Sequence, residues 1–117
     1  MYKSLASATI ASLFFGEQVK ADTYGSSSVD PGPFVNETWY SGLVDLDKQD
    51  DMFYWWFESR NDAKNDPLVL WLTGGPGCAS EIALFYENGP YQFEKDGKTL
   101  KSNPYSWNSN ANLLYVD

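Results

Sequence analysis

At 117 residues the chain is long enough for one small domain, and with 43% hydrophobic and 17% aromatic residues it carries enough apolar area to build a core. A net charge of −8 weighs against nucleic-acid backbones and anionic membrane surfaces as partners, because both select Lys and Arg. With no histidine and one cysteine, Cys78, a His/Cys metal constellation is excluded, and no metal or cofactor is expected.

Met1 to Ala21 reads as a secretory signal: Lys3 supplies the positive start, Leu5 to Phe15 an apolar stretch too short to span a bilayer, and Val19-Lys20-Ala21 small side chains before a cut ahead of Asp22. A buried N-terminal helix is the alternative. The signal implies a secretory address, either outside the cell or in a lysosome-like or vacuolar lumen. Residues 22–37 read as a flexible lead-in rich in Gly, Ser and Pro, with structure beginning near Thr38. Asn36-Glu37-Thr38 within it is a glycosylation sequon.

From residue 38 the pattern alternates between strand and turn signals. Trp39 to Val44 and Met52 to Glu58 are aromatic and β-prone on either side of the acidic turn Asp45 to Asp51, which predicts a hairpin. Ser59 to Asp66 is a polar loop. Leu68-Val69-Leu70-Trp71-Leu72 is a continuous apolar run, expected to be a strand covered on both faces. A glycine turn comes next, then a short helix over Ser80 to Asn88, with Ser80 as its cap and Asn88-Gly89-Pro90 as its stop. Tyr91 to Glu94 and Thr99 to Lys101 pair across Asp96-Gly97, Asn103 to Asn108 is irregular, and Leu113 to Val116 is a buried strand.

The chemistry concentrates in Trp71-Leu72-Thr73-Gly74-Gly75-Pro76-Gly77-Cys78. Acyl transfer passes through a tetrahedral species bearing a negative oxygen, and a backbone N–H fixed towards that oxygen lowers the barrier by roughly 3 kcal/mol. Glycines supply such donors without side chains that block the substrate. The tetrapeptide Gly74 to Gly77 alone also fits an ordinary tight connection.

Its surroundings narrow the choice. Trp71 to Cys78, the aromatic strand ending in Glu58-Ser59-Arg60-Asn61, the helix end Phe85-Tyr86-Glu87-Asn88-Gly89-Pro90 and the segment Asn103-Pro104-Tyr105-Ser106-Trp107-Asn108 together resemble the serine carboxypeptidases, in order and spacing, over Trp39 to Asp117. The resemblance implies an α/β chain forming the N-terminal part of an α/β-hydrolase fold, residues 38–117, with an antiparallel hairpin, following strands, one short helix and an incomplete sheet. It implies a peptide C-terminus as substrate, with Gly75 donating one oxyanion-hole N–H. Thr73, Gly74 and Glu87 would hold the substrate's free carboxylate. A carboxylic acid at Glu87 suits that task when protonated, since it then donates a hydrogen bond, whereas ionised it repels. Cys78 would pair in a disulfide with a downstream cysteine. Two positions depart from the family pattern: Thr73 stands where Asn is usual, and Ala79 where Ser is common.

The nucleophile of that family sits in a Gly-x-Ser-x-Gly elbow, and neither this pentapeptide nor a histidine occurs here, so no Ser-His-Asp relay can form from these residues. The expectation is therefore the N-terminal part of a serine carboxypeptidase, inactive alone. A stand-alone secreted aromatic-rich β binding module is a second reading. A different α/β hydrolase, such as a proline iminopeptidase, is a third, with the flanking motifs and Cys78 against it. Oligomeric state is not encoded in any recognisable pattern.

Overall fold

The aromatic strands dictate the centre of the molecule. The computed structural model describes residues 21–26, 34–45 and 50–117. Strand β2 (Trp39–Asp45) pairs antiparallel with β3 (Asp51–Phe57), Trp39 opposite Phe57 and Asp45 opposite Asp51, as the hairpin signal predicts. The middle of the acidic turn and the secretory signal up to residue 20 lie outside the described residues.

Strand side chains alternate between faces. In this register Trp39, Trp55 and Phe57 gather with Phe34, Leu113 and Tyr115 against helix α1 (Glu81–Tyr86), whose Ala83 and Leu84 are fully buried. Phe34 plugs the centre: its ring meets Trp39, Trp55 and Phe57 edge-on at 5.2–5.7 Å, an arrangement aromatic rings prefer over face-to-face contact. The opposite face carries a smaller cluster of Val44, Tyr54 and Leu114 with Met52, Trp56 and Val116.

The sheet runs β1–β2–β3–β7–β4, where β1 is Ala21–Ser26, β4 is Leu68–Trp71 and β7 is Asn112–Val116. β4 is parallel to β7, Leu68 opposite Asn112 and Trp71 opposite Tyr115. A parallel pair needs a long crossover. Here it consists of the glycine turn, α1, the hairpin β5 (Tyr91–Phe93) with β6 (Leu100–Ser102), and a 3₁₀ turn at Trp107–Ser109. The Asp96-Gly97 turn of the small hairpin is closed by the Asp96 carboxylate, which accepts from the Lys98 and Thr99 amides and the Thr99 hydroxyl.

Three expectations need correction. Residues 22–37 are not simply a lead-in. Ala21–Ser26 pairs with the free edge of β2, whose unpaired backbone groups it satisfies, and Phe34 and Glu37 are buried because the core needs the ring and Arg60 needs the carboxylate. The run Leu68 to Leu72 is not covered on both faces by the described residues: β4 is the outermost of the described strands, and while Val69 and Trp71 pack on the core, Leu70 is 41% and Leu72 64% exposed. Nor does Ser80 cap α1 through its side chain, which is taken by Thr73. The mixed strands-and-helix architecture is as expected.

Candidate active site

The strand β4 delivers the chain into the glycine turn, and two hydrogen bonds set where the turn begins. Trp71 Nε1 donates to Thr73 Oγ1 at 3.3 Å, and the Thr73 amide donates to Ser80 Oγ at 3.2 Å. The Thr73 amide is thereby consumed, while its hydroxyl hydrogen stays available to an acceptor. Beyond Thr73 the backbone stops bonding to itself. Gly74, Gly75, Pro76, Gly77 and Cys78 are all exposed, and the N–H groups of Gly74 and Gly75 have no acceptor among the described residues. Gly77 sits at φ +83°, a region that a side-chain-bearing residue enters only with strain. The Gly75–Pro76 peptide bond is cis. Cys78 is exposed and unpaired here, with its sulfur tucked beside Gly75: a Cβ placed on Gly75 would lie 3.2 Å from Sγ.

Glu87 stands at the far end of α1. The six-residue helix rises roughly 9 Å, with the turn before it and the acid after it, and among the described residues no hydrogen bond joins Glu87 to Thr73 or Gly74. The Glu87 amide donates to Ala83 O at 3.0 Å, leaving its side chain exposed. The three residues after Glu87 are pinned. Asn88 O accepts from the Trp107 amide and the Ser106 hydroxyl, both at 3.0 Å. Gly89 O accepts from Asn103 Nδ2 at 2.9 Å, and Pro90 O from the Asn103 amide at 2.7 Å. Tyr115 OH donates to Asn88 Oδ1 at 2.9 Å. Burial, and after it the nearby Glu87 charge, pushes the Tyr115 phenol well above its ordinary range, so it remains a donor.

The same loop reaches the N-terminal segment. Asn108, fully buried, donates to Glu37 Oε2 at 2.8 Å and to Glu58 O at 3.1 Å. The Glu37 side chain, 4% exposed, pairs with Arg60 through Nε at 2.9 Å and through Nη2, while Arg60 Nη1 donates to Asn103 O at 2.8 Å. Three separated stretches singled out in the sequence, Glu58-Ser59-Arg60, Asn88-Gly89-Pro90 and Asn103 to Asn108, thus meet in one polar knot. Reading the sequence identified the stretches but missed this role. The available signal was the run of Asn residues at 103, 108 and 112: Asn112 is buried as well, accepting from the Ser59 amide and donating to Ala63 O and Asp66 O. Asn36 lies apart from all of this, exposed in a tight turn at φ +71°.

Comparison with known proteins gives these motifs a context. A family model described as serine carboxypeptidase matches residues 30–117. A carboxypeptidase Y homolog A of Leptosphaeria maculans is 61% identical over 79 residues, which is 67% of this chain and 14% of that protein. The homolog of the same name in Trichophyton verrucosum is 54% identical over 101 residues, 86% of this chain and 18% of that protein. Among solved structures, the prohormone-processing carboxypeptidase Kex1(Δ)p of Saccharomyces cerevisiae matches with a TM-score of 0.57 and 35% identity, covering 69% of this chain and 19% of that one. The chain therefore spans under a fifth of the length of each of these relatives.

Proposed function

Because this chain belongs to the serine carboxypeptidase family, we propose that it supplies the oxyanion and carboxylate-binding corner of an α/β-hydrolase site that removes C-terminal residues from peptides. The proposal rests chiefly on one observation: in the matched segment, the Gly74 and Gly75 N–H groups face solvent without an acceptor. A nucleophilic serine attacks the last peptide carbonyl, the carbonyl oxygen takes the negative charge, and the Gly75 N–H donates to it. Collapse expels the terminal amino acid and leaves an acyl-enzyme, which water hydrolyses. The Thr73 hydroxyl and Gly74 N–H donate to the terminal carboxylate, and Glu87 adds a third donor in its protonated form. This restricts cleavage to chain ends.

The serine, aspartate and histidine of that reaction must come from outside these 117 residues, which hold no histidine at all. The chain alone is inactive in this reading, and Cys78 bonds to a cysteine that it does not itself contain. Its working address is the secretory route or an acidic lumen.

The test is a chimera in which residues 30–117 replace the matched segment of the Leptosphaeria relative. The chimera is expected to release the terminal amino acid from an N-blocked dipeptide at acidic pH and to be silenced by a serine-reactive inhibitor, while the isolated chain releases none. A folded chimera that leaves the dipeptide intact, or turnover by the isolated chain, overturns the reading.

A further inference from the structure

Trp107 joins the two regions that flank α1, and no step of the reaction described above uses it. Its backbone belongs to the knot. The Trp107 amide donates to Asn88 O at 3.0 Å, one residue past Glu87, and the Ser106 hydroxyl donates to the same carbonyl at 3.0 Å. Asn108, next in the chain, is fully buried and donates to Glu37 and to Glu58 O. The main chain at Trp107 is therefore held from both sides. The indole leaves the knot and stays 52% exposed, yet it meets the Trp71 ring edge-on, with centroids 5.4 Å apart and planes at 87°.

Trp71 in turn donates from Nε1 to Thr73 Oγ1 at 3.3 Å. That bond decides how the threonine points. With one lone pair of Oγ1 occupied by the indole, the hydroxyl hydrogen turns away from Trp71. A threonine side chain chooses among staggered wells, and the well that keeps the Nε1 bond also fixes this direction. Trp71 is partly buried against the core, and β4 is the outermost of the described strands. The edge-on contact with Trp107 gives the indole a second support, anchored in the knot.

We infer that Trp107 is a positioning residue: it braces the Trp71 indole so that the Thr73 hydroxyl is held towards the free carboxylate of a peptide, while its backbone fixes the residue that follows Glu87. The inference rests on the carboxypeptidase reading and adds to it a link between the two ends of α1. Discrimination between a free C-terminal carboxylate and its neutral amide then depends on a ring that donates no hydrogen bond to either.

The test uses the chimera carrying residues 30–117, an N-blocked dipeptide, and the same dipeptide with a C-terminal amide. The ratio of kcat/KM for the acid to kcat/KM for the amide isolates the carboxylate-binding groups, and the parent chimera is expected to favour the acid. Trp107→Leu should cut that ratio about fivefold, the equivalent of one T-shaped aromatic contact. The change should appear in KM for the acid more than in kcat. Trp107→Phe, which keeps a ring edge against Trp71, should recover most of the loss. In a Thr73→Ala background Trp107→Leu should change the ratio by less than about twofold, because the hydroxyl it acts through is gone. If Trp107→Leu does not fold, Trp107→Met replaces it in the same comparisons.

A variant that loses acid and amide turnover alike, or that keeps the parent's ratio, shows that the ring only packs. A Trp107→Phe chimera no better than Trp107→Leu, or an undiminished effect in the Thr73→Ala background, shows that the ring does not act through Trp71 and Thr73. Each of these overturns the inference and leaves the carboxypeptidase reading standing. An active parent chimera with no preference for the acid overturns the carboxylate-binding role itself, and the inference with it.

Discussion

The glycine turn and the asparagine knot lie at opposite ends of α1 and handle their backbone polar groups in opposite ways. In the turn, Gly74 and Gly75 leave their N–H groups to solvent, and the residues from Gly74 to Cys78 are exposed. In the knot, the carbonyls of Asn88, Gly89 and Pro90 are each taken by a donor from Asn103 to Trp107, and the asparagine side chains concerned are buried. A backbone donor left open is one a ligand can use, and it stays correctly aimed only if the chain around it is fixed. In the function proposed above, the turn serves recognition and the knot rigidity, and substitutions in each should fail in different ways.

The largest expected effect lies in the knot. A Cβ on Gly89 would fall 2.0 Å from the Leu84 carbonyl oxygen, a backbone atom that cannot swing aside. Gly89→Ala should therefore cost about 4 kcal/mol or abolish the cooperative transition in a urea melt. Arg60→Ala comes next. It strands the Glu37 carboxylate, 4% exposed, beside Asn108, and because Arg60 itself is 25% exposed the loss should stay near the lower end for a broken ion pair, about 3 kcal/mol. Arg60→Lys should recover only part of it, since a single ammonium cannot reach Glu37 and the Asn103 and Pro90 carbonyls together. A midpoint unchanged by Arg60→Ala would show that the knot is not holding the N-terminal segment.

These two substitutions also mark where the sequence was legible. The β2–β3 hairpin, the Asp96-Gly97 turn and β7 are dictated by local pattern: alternating aromatics, a dipeptide suited to positive φ, and a continuous apolar run. The place of β4 at the outside of the described strands was not legible, because an apolar run reads the same there as in a sheet centre and only topology distinguishes them. Phe34 and Glu37 were assigned to a lead-in because their partners, Trp55 and Arg60, lie more than twenty positions away. The turn could be singled out because its residues are contiguous. The knot could not, because its meaning lies in which distant carbonyls the asparagines reach.

The turn should tolerate change in stability and not in function. Gly77→Ala, forced to φ +83°, should cost about 1 kcal/mol. At Gly74 a Cβ meets nothing within 4 Å, so Gly74→Ala should leave the melting midpoint within about 0.5 kcal/mol of the parent. In the chimera, Glu87→Ala should lower kcat/KM for the N-blocked dipeptide roughly tenfold or more by removing a donor to the terminal carboxylate. Glu87→Gln, which keeps a side-chain donor at that position, should recover part of the loss. A Glu87→Ala chimera with unchanged kcat/KM would place the carboxylate clamp elsewhere.

The smallest effect concerns pH and the helix that separates the two regions. Glu81 opens α1 with one carboxylate oxygen buried and unpartnered. Desolvation raises its pKa, its own backbone N–H opposes the rise, and the charge of Asp117 adds to it. Glu58 is raised too, again by desolvation, with the Tyr40 hydroxyl opposing. An acid whose folded pKa lies above its unfolded value stabilises the fold fully below the unfolded pKa, and that contribution is lost as pH rises through the folded pKa. Both groups therefore favour the folded chain on the acidic side of their folded pKa values. Glu81→Gln removes one of the two charges, so it should raise stability at pH 7 by less than about 1 kcal/mol, because the group is only partly buried and the rest of it is screened by solvent. At pH 4 the gain should vanish, since the native glutamate is then already protonated. Urea melts of the two chains at pH 4 and pH 7 measure the difference, and an equal shift at both values would show that the Glu81 charge is not what the helix resists.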